Sequence, residues 1–120
     1  MRRRRDVRTG RKPGAKISAL TPRVDGVVAI NDALAIGLMV GLRAQGLKIA
    51  EDISVIGIDN ISLSALSSPG LTSVMAPLSA MASMMVERLV QRITEPGLQT
   101  DEFIFAPEVI QRQSVKIKQP

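Results

Sequence analysis

Apolar residues come in short runs set off by polar punctuation, and the clearest pattern lies in residues 26–60. Residues 27–30 (VVAI) are apolar, rich in β-branched side chains and too few for a helix, which predicts a buried strand. Asn31 and Asp32 follow. Residues 33–45 then string together strong helix formers, and Gly46 stands where a helix C′ residue belongs. A polar connection, residues 48–52, leads to a second apolar run at 53–58 that Asp59 and Asn60 stop. Strand, helix and strand with short connections make a βαβ unit with parallel strands and a right-handed crossover. Both strands then end at one edge of the sheet, with Asn31 and Asp32 beside Asp59 and Asn60. Ligands of open α/β sheets bind outside that carboxyl edge.

The predicted helix at 33–45 is apolar nearly all round, with Arg43 and Gln45 only near its end. One side covers the sheet, so its second side must be buried as well, by its own domain or by another subunit. Gly37 and Gly41, four apart, permit close approach along one stripe. Residues 61–69 (ISLSALSSP) read as a loop with one helical turn, and residues 71–75 as a short strand. Pro77 suits the first position of a helix, and residues 78–93 repeat apolar positions at helical spacing: Leu78, Met81, Met85, Leu89 and Ile93. Residues 103–105, 109–110 and 114–117 predict one or two closing strands. Upstream, Pro13 and Gly14 weaken any helix that begins before them, leaving residues 15–20 as the expected helix. The order of elements is that of an α/β parallel sheet.

Composition narrows the chemistry. The 120 residues contain no Cys and no His, which removes thiol chemistry, disulfides and the commonest general base and metal ligand. With no glycine-rich phosphate loop either, an enzyme is not expected, nor is a cofactor or metal. The net charge of +5 divides unevenly. Residues 1–23 carry nine basic side chains and one acid, Asp6, whereas the rest is mildly acidic. Residues 1–9 are therefore expected to be a basic, disordered arm, either simply solvated or able to meet phosphates. Arg2 and Arg3 are not followed by the apolar stretch of an export signal, and no run reaches the roughly 18 apolar residues of a membrane span. A cytoplasmic protein is expected, with no membrane partner.

Four stretches, in order, resemble a family. Residues 27–37 (VVAINDALAIG) look like the "aaNDalAlG" stretch of the LacI/GalR bacterial transcription regulators. Residues 46–59 (GLKIAEDISVIGID) resemble their "GlrvPeDvsVvGfD". Pro69 to Thr72, with Val74 and Pro77, resembles "PpLTTvrqP", and residues 109–114 (VIQRQS) resemble "LvvRqSt". The resemblance implies a periplasmic-binding-protein-like lobe, truncated: residues 10–120 correspond to the final third of an effector-binding domain. It implies a small, sugar-like effector, a homo-oligomer, and DNA contact only through a headpiece that this chain does not contain. It also implies that the helix at 78–93 belongs to the other lobe.

By the same resemblance, Asp32 is expected to accept hydrogen bonds from effector hydroxyls, with Asn31 and Asp59 as lesser candidates for ligand contact, Asn31 otherwise fixing the turn and Asp59 holding the loop after its strand. The residues themselves leave a plainer alternative, because Asp is a favoured N-cap for the helix that follows. This sequence has Ala76 and Met75 where the family often carries polar residues, which permits a less hydroxylated effector. A fragment of a transporter's sugar-binding protein, which shares the fold, is the rival reading.

Overall fold

The computed structural model of the chain describes residues 7–99 and 101–117, with side chains from residue 12 on. Eight elements follow in order: α1 (Val7–Ser18), β1 (Gly26–Val28), α2 (Asp32–Ala44), β2 (Ser54–Ile58), α3 (Ser62–Leu66), β3 (Thr72–Met75), α4 (Leu78–Thr94) and β4 (Glu108–Ile110). They fall into two compact units. One runs to Met75 and resumes at Val109, and the other is Ala76–Glu108.

In the first unit the strands lie in the order β1-β2-β3-β4. β1 pairs parallel with β2, Val27 opposite Val55, and β2 pairs parallel with β3, Ile56 opposite Thr72. The parallel α/β sheet expected from the βαβ pattern is thus present. β1 is a residue or two shorter than its apolar run: Ala29 still donates to the Ile56 carbonyl (2.8 Å), but Ile30 is mostly exposed. Gly46 takes φ 80°, and its N–H reaches the Arg43 carbonyl at 3.0 Å, so the left-handed stop after α2 is where the sequence put it.

The core is aliphatic. Ala35, Ile36, Leu38, Met39 and Leu42 of α2 pack with Ile53, Val55 and Leu71 from the sheet side. The second side of α2 is covered by its own chain, because α1 lies across it. The crossing is tight. A Cβ on Gly14 would stand 2.8 Å from the backbone of Gly41 and Leu42. The small-residue stripe on α2 therefore admits α1.

That packing corrects the expectation for the N-terminal region. α1 runs straight through Pro13 and Gly14 instead of starting after them. Proline removes one helical hydrogen bond and glycine lowers propensity, yet tertiary packing of the helix outweighs both. Residues 7–9, expected to be disordered, are helical; residues 1–6 of the basic arm lie outside the described residues.

The second unit is built on α4, as its periodicity predicted. The expected strand at 103–105 does not form. Phe103 instead lies under the Arg88 guanidinium, 4.4 Å from carbon to ring centroid, and Arg88 also meets Asp101 at 3.5 Å. A cation–π contact of this kind uses the ring face, and the aromatic is spent on α4. Residues 114–117 likewise form no strand. Ser114 is drawn inward, accepting from the Thr72 N–H (2.8 Å) and donating to the Val55 carbonyl (2.6 Å).

Candidate functional site

Because β1, β2 and β3 are parallel, their carboxyl ends share one edge, and Asn31, Asp59 and Ala76 each come soon after one of them. The juxtaposition expected from the sequence is present; the division of labour is different.

Asn31, not Asp32, caps α2. Its backbone is extended, its side-chain oxygen accepts from the Leu34 N–H at 2.8 Å, and Asp32 is already the first helical residue. The amide NH2 of Asn31 has no partner among the described residues and remains available as a donor.

Asp32 has no exposed surface. One carboxylate oxygen accepts from the Ile61 N–H (3.0 Å) and the Ser64 hydroxyl (2.5 Å), and the other accepts from the Ser73 hydroxyl (2.6 Å). Gly57 makes room for it: a Cβ there would overlap the carboxylate oxygen and crowd Leu71. Three donors from two segments, the start of α3 and β3, converge on this group, as a buried charge requires. In this arrangement Asp32 is an internal brace with no surface to offer a ligand.

Asp59 is the exposed carboxylate of the edge. Its backbone N–H donates to the Val74 carbonyl at 2.9 Å, while its side chain has no hydrogen bond or ion pair among the described residues. It stands in an unusual turn. Asp59 has φ 110° and Asn60 φ 50°, a region that costs most residues about 1–2 kcal/mol and that Asp and Asn tolerate best. Asn60 is held from both sides: its N–H donates to Ser73 Oγ (3.0 Å), and its side-chain oxygen accepts from Arg112 (2.7 Å). Arg112 also donates to the Leu71 carbonyl (2.7 Å), which ties the closing segment to β3.

Ser64, Ser73 and Arg112 did not stand out in the sequence. Gly57 carried the available signal, since a lone glycine inside a strand marks a close approach by another group. Ser73, in the middle of a short apolar strand, was the second.

The fold has known counterparts. A periplasmic binding protein-like domain matches residues 2–115. The chain belongs to that family, in its LacI/GalR branch. The HTH-type transcriptional repressor PurR of Vibrio cholerae is 40% identical over 101 residues, which is 84% of this chain and 30% of the repressor. A LacI family regulator from Enterococcus faecalis, solved with bound ribose, superposes with a TM-score of 0.82 at 32% identity over 92% of this chain and 41% of that one. The transcriptional regulator CelR in its cellobiose complex gives 0.81 at 28% identity, over 91% and 33%. This LacI/GalR chain thus spans less than a third of its curated repressor relative and less than half of these structures. Among its described residues no helix is long and apolar enough to cross a membrane, and no cluster of acidic residues is arranged to hold a metal.

Proposed function

We propose that this chain is an effector-sensing and subunit-pairing part of a LacI-type transcriptional regulator, with a sugar-like effector at the carboxyl edge of the sheet. The observation that carries the reading is the exposed Asp59 carboxylate, unpaired among the described residues and on the same sheet edge as Asn31, in a fold whose solved neighbours hold ribose and cellobiose. A carboxylate offers two acceptor oxygens to neighbouring hydroxyls, and the Asn31 NH2 adds a donor for a sugar oxygen. Each charge-assisted bond is worth about 1.5–3 kcal/mol. Asp32 serves this edge from beneath rather than by touching the ligand. Pairing uses the apolar face of α4, and DNA contact belongs to residues other than these.

A nitrogen-15 NMR titration of the chain with ribose and with cellobiose tests the assignment. One wall of a cleft supplies only part of the burial that a ligand site normally provides, so saturation is expected no tighter than roughly millimolar. The shifted amides should centre on Asn31, Asp59 and Asn60, and Asp59→Ala should weaken the response at least tenfold. Shifts scattered elsewhere, or unchanged by Asp59→Ala, would contradict the site.

A further inference from the structure

Two successive residues with positive φ, neither of them glycine, do not hold themselves in place, and the bonds that hold Asp59 and Asn60 lead back to one group. The Asn60 N–H donates to Ser73 Oγ (3.0 Å), and that hydroxyl in turn donates a hydrogen bond to the Asp32 carboxylate (2.6 Å). The next amide, Ile61, donates to Asp32 directly (3.0 Å), and Ser64, where the chain re-enters a helix, donates to the same oxygen (2.5 Å). Residues 60, 61 and 64 are thus fastened, directly or through one hydroxyl, to a single buried carboxylate. Asn60 has two further anchors, Arg112 on its side-chain oxygen and Met75, whose Sδ accepts from its side-chain NH2 (3.3 Å), and Asp59 has its amide bond to Val74.

We propose that Asp32 is a positioning residue. It fixes the left-handed turn that presents the Asp59 carboxylate at the ligand edge, and Gly57 is glycine so that the Asp32 carboxylate can reach beneath that turn. The link to a ligand rests on the sugar-edge reading above; the brace itself is independent of any ligand. The chemistry requires a carboxylate. Three donors need two acceptor oxygens, whereas an amide keeps one oxygen and turns an NH2 group against a donor. A left-handed turn at residues other than glycine is kept only where the surroundings over-determine it.

The test is amide hydrogen exchange by NMR on the full 120-residue chain, with no ligand present. Asp32→Asn, which conserves volume, should speed exchange at Asn60, Ile61 and Ser64 at least tenfold while leaving Val55 and Leu42 protected. Asp59→Gly supplies the discriminating readout, because glycine takes φ 110° without a Cβ penalty. In the Asp59→Gly background Asp32→Asn should cost these amides clearly less protection than in the parent. A buried carboxylate that only supports the core would speed exchange evenly, and the glycine would make no difference; either result overturns the proposal. Should Asp32→Asn fail to fold, Ser73→Ala removes one leg of the brace alone. Faster exchange at Asn60 then supports the proposal, and unchanged exchange overturns it. The sugar titration can fail while this brace holds, and the reverse, so the two readings are separable.

Discussion

Among its described residues, the unit built on α2 buries eight apolar side chains and holds five polar ones with no more than 2% exposure. The unit built on α4 buries none of its helix. Leu78, Met85, Val86, Leu89, Val90 and Ile93 are all more than half exposed there. Both helices read as apolar in the sequence, yet only one is complete within its own unit. α2 has a sheet on one side and α1 on the other, so its all-round apolar surface is used. On the polar side of α4, Arg88 gathers Phe103 and Asp101, while the apolar stripe of the same helix is left exposed. A contiguous patch of that kind marks a surface that something else covers. The difference separates what this chain stabilises by itself from what it presents.

The largest expected effect sharpens that contrast. If α4 pairs with a second copy, replacing Val86 and Leu89 together by Asp removes two apolar contacts, each worth about 1.5–3 kcal/mol when fully buried. The dimer should then dissociate at least a hundredfold more readily, since each 1.4 kcal/mol is about a factor of ten. Sedimentation at micromolar concentration reads this, and amide protection of Val55 and Leu71 in the other unit should not change. If the parent chain already sediments as a 12.9 kDa monomer with well-dispersed NMR signals, α4 needs no partner and the contrast fails.

A middling effect probes the self-sufficient unit. Gly14→Ala improves helix propensity by up to about 1 kcal/mol, so an α1 that merely lay in solvent would become more stable. Here the added Cβ meets backbone atoms of Gly41 and Leu42 at 2.8 Å, and backbone cannot step aside as a side-chain tip can. Overpacking of this sort costs about 1–3 kcal/mol. The expected outcome is a lower urea midpoint with an unchanged denaturant slope. A raised midpoint would mean that α1 does not pack on α2.

How much was legible in the sequence follows from the range of the forces involved. Period and turn chemistry are local, so α2, β2, β3, α4 and the Gly46 stop were read nearly to the residue. The parallel pairing, and with it the placing of Asn31 and Asp59 at one edge of the sheet, followed from topology. α1 was misread because Pro13 and Gly14 are unfavourable locally and are rescued by a helix that begins some eighteen residues later. Capping by Asp32, the plainer alternative in the sequence, falls instead to Asn31. Either type caps a helix, and the choice depends on Ser64 and Ser73, which lie 32 and 41 residues away and claim the Asp32 carboxylate. A buried polar contact between distant segments leaves little local trace, apart from the small residue that makes room for it.

The smallest effect concerns the amino edge of the same sheet, where Asp52 holds the turn into β2. One of its oxygens accepts from the Lys48 N–H at 2.8 Å, and Arg23 stands 3.5 Å from the other. The backbone hydrogen bond, with Arg23 assisting, lowers its pKa below the usual aspartate value. Since the folded value lies below the unfolded one, the carboxylate stabilises the fold fully above about pH 4, and that contribution disappears as pH falls through the lowered folded value. Asp52→Asn should therefore be slightly less stable than the parent at neutral pH, and the two should converge in acid. Paired urea titrations from neutral pH down through the acid range measure the gap. A gap that stays constant through the acid range would show that Asp52 acts through turn geometry alone, with no contribution from its charge.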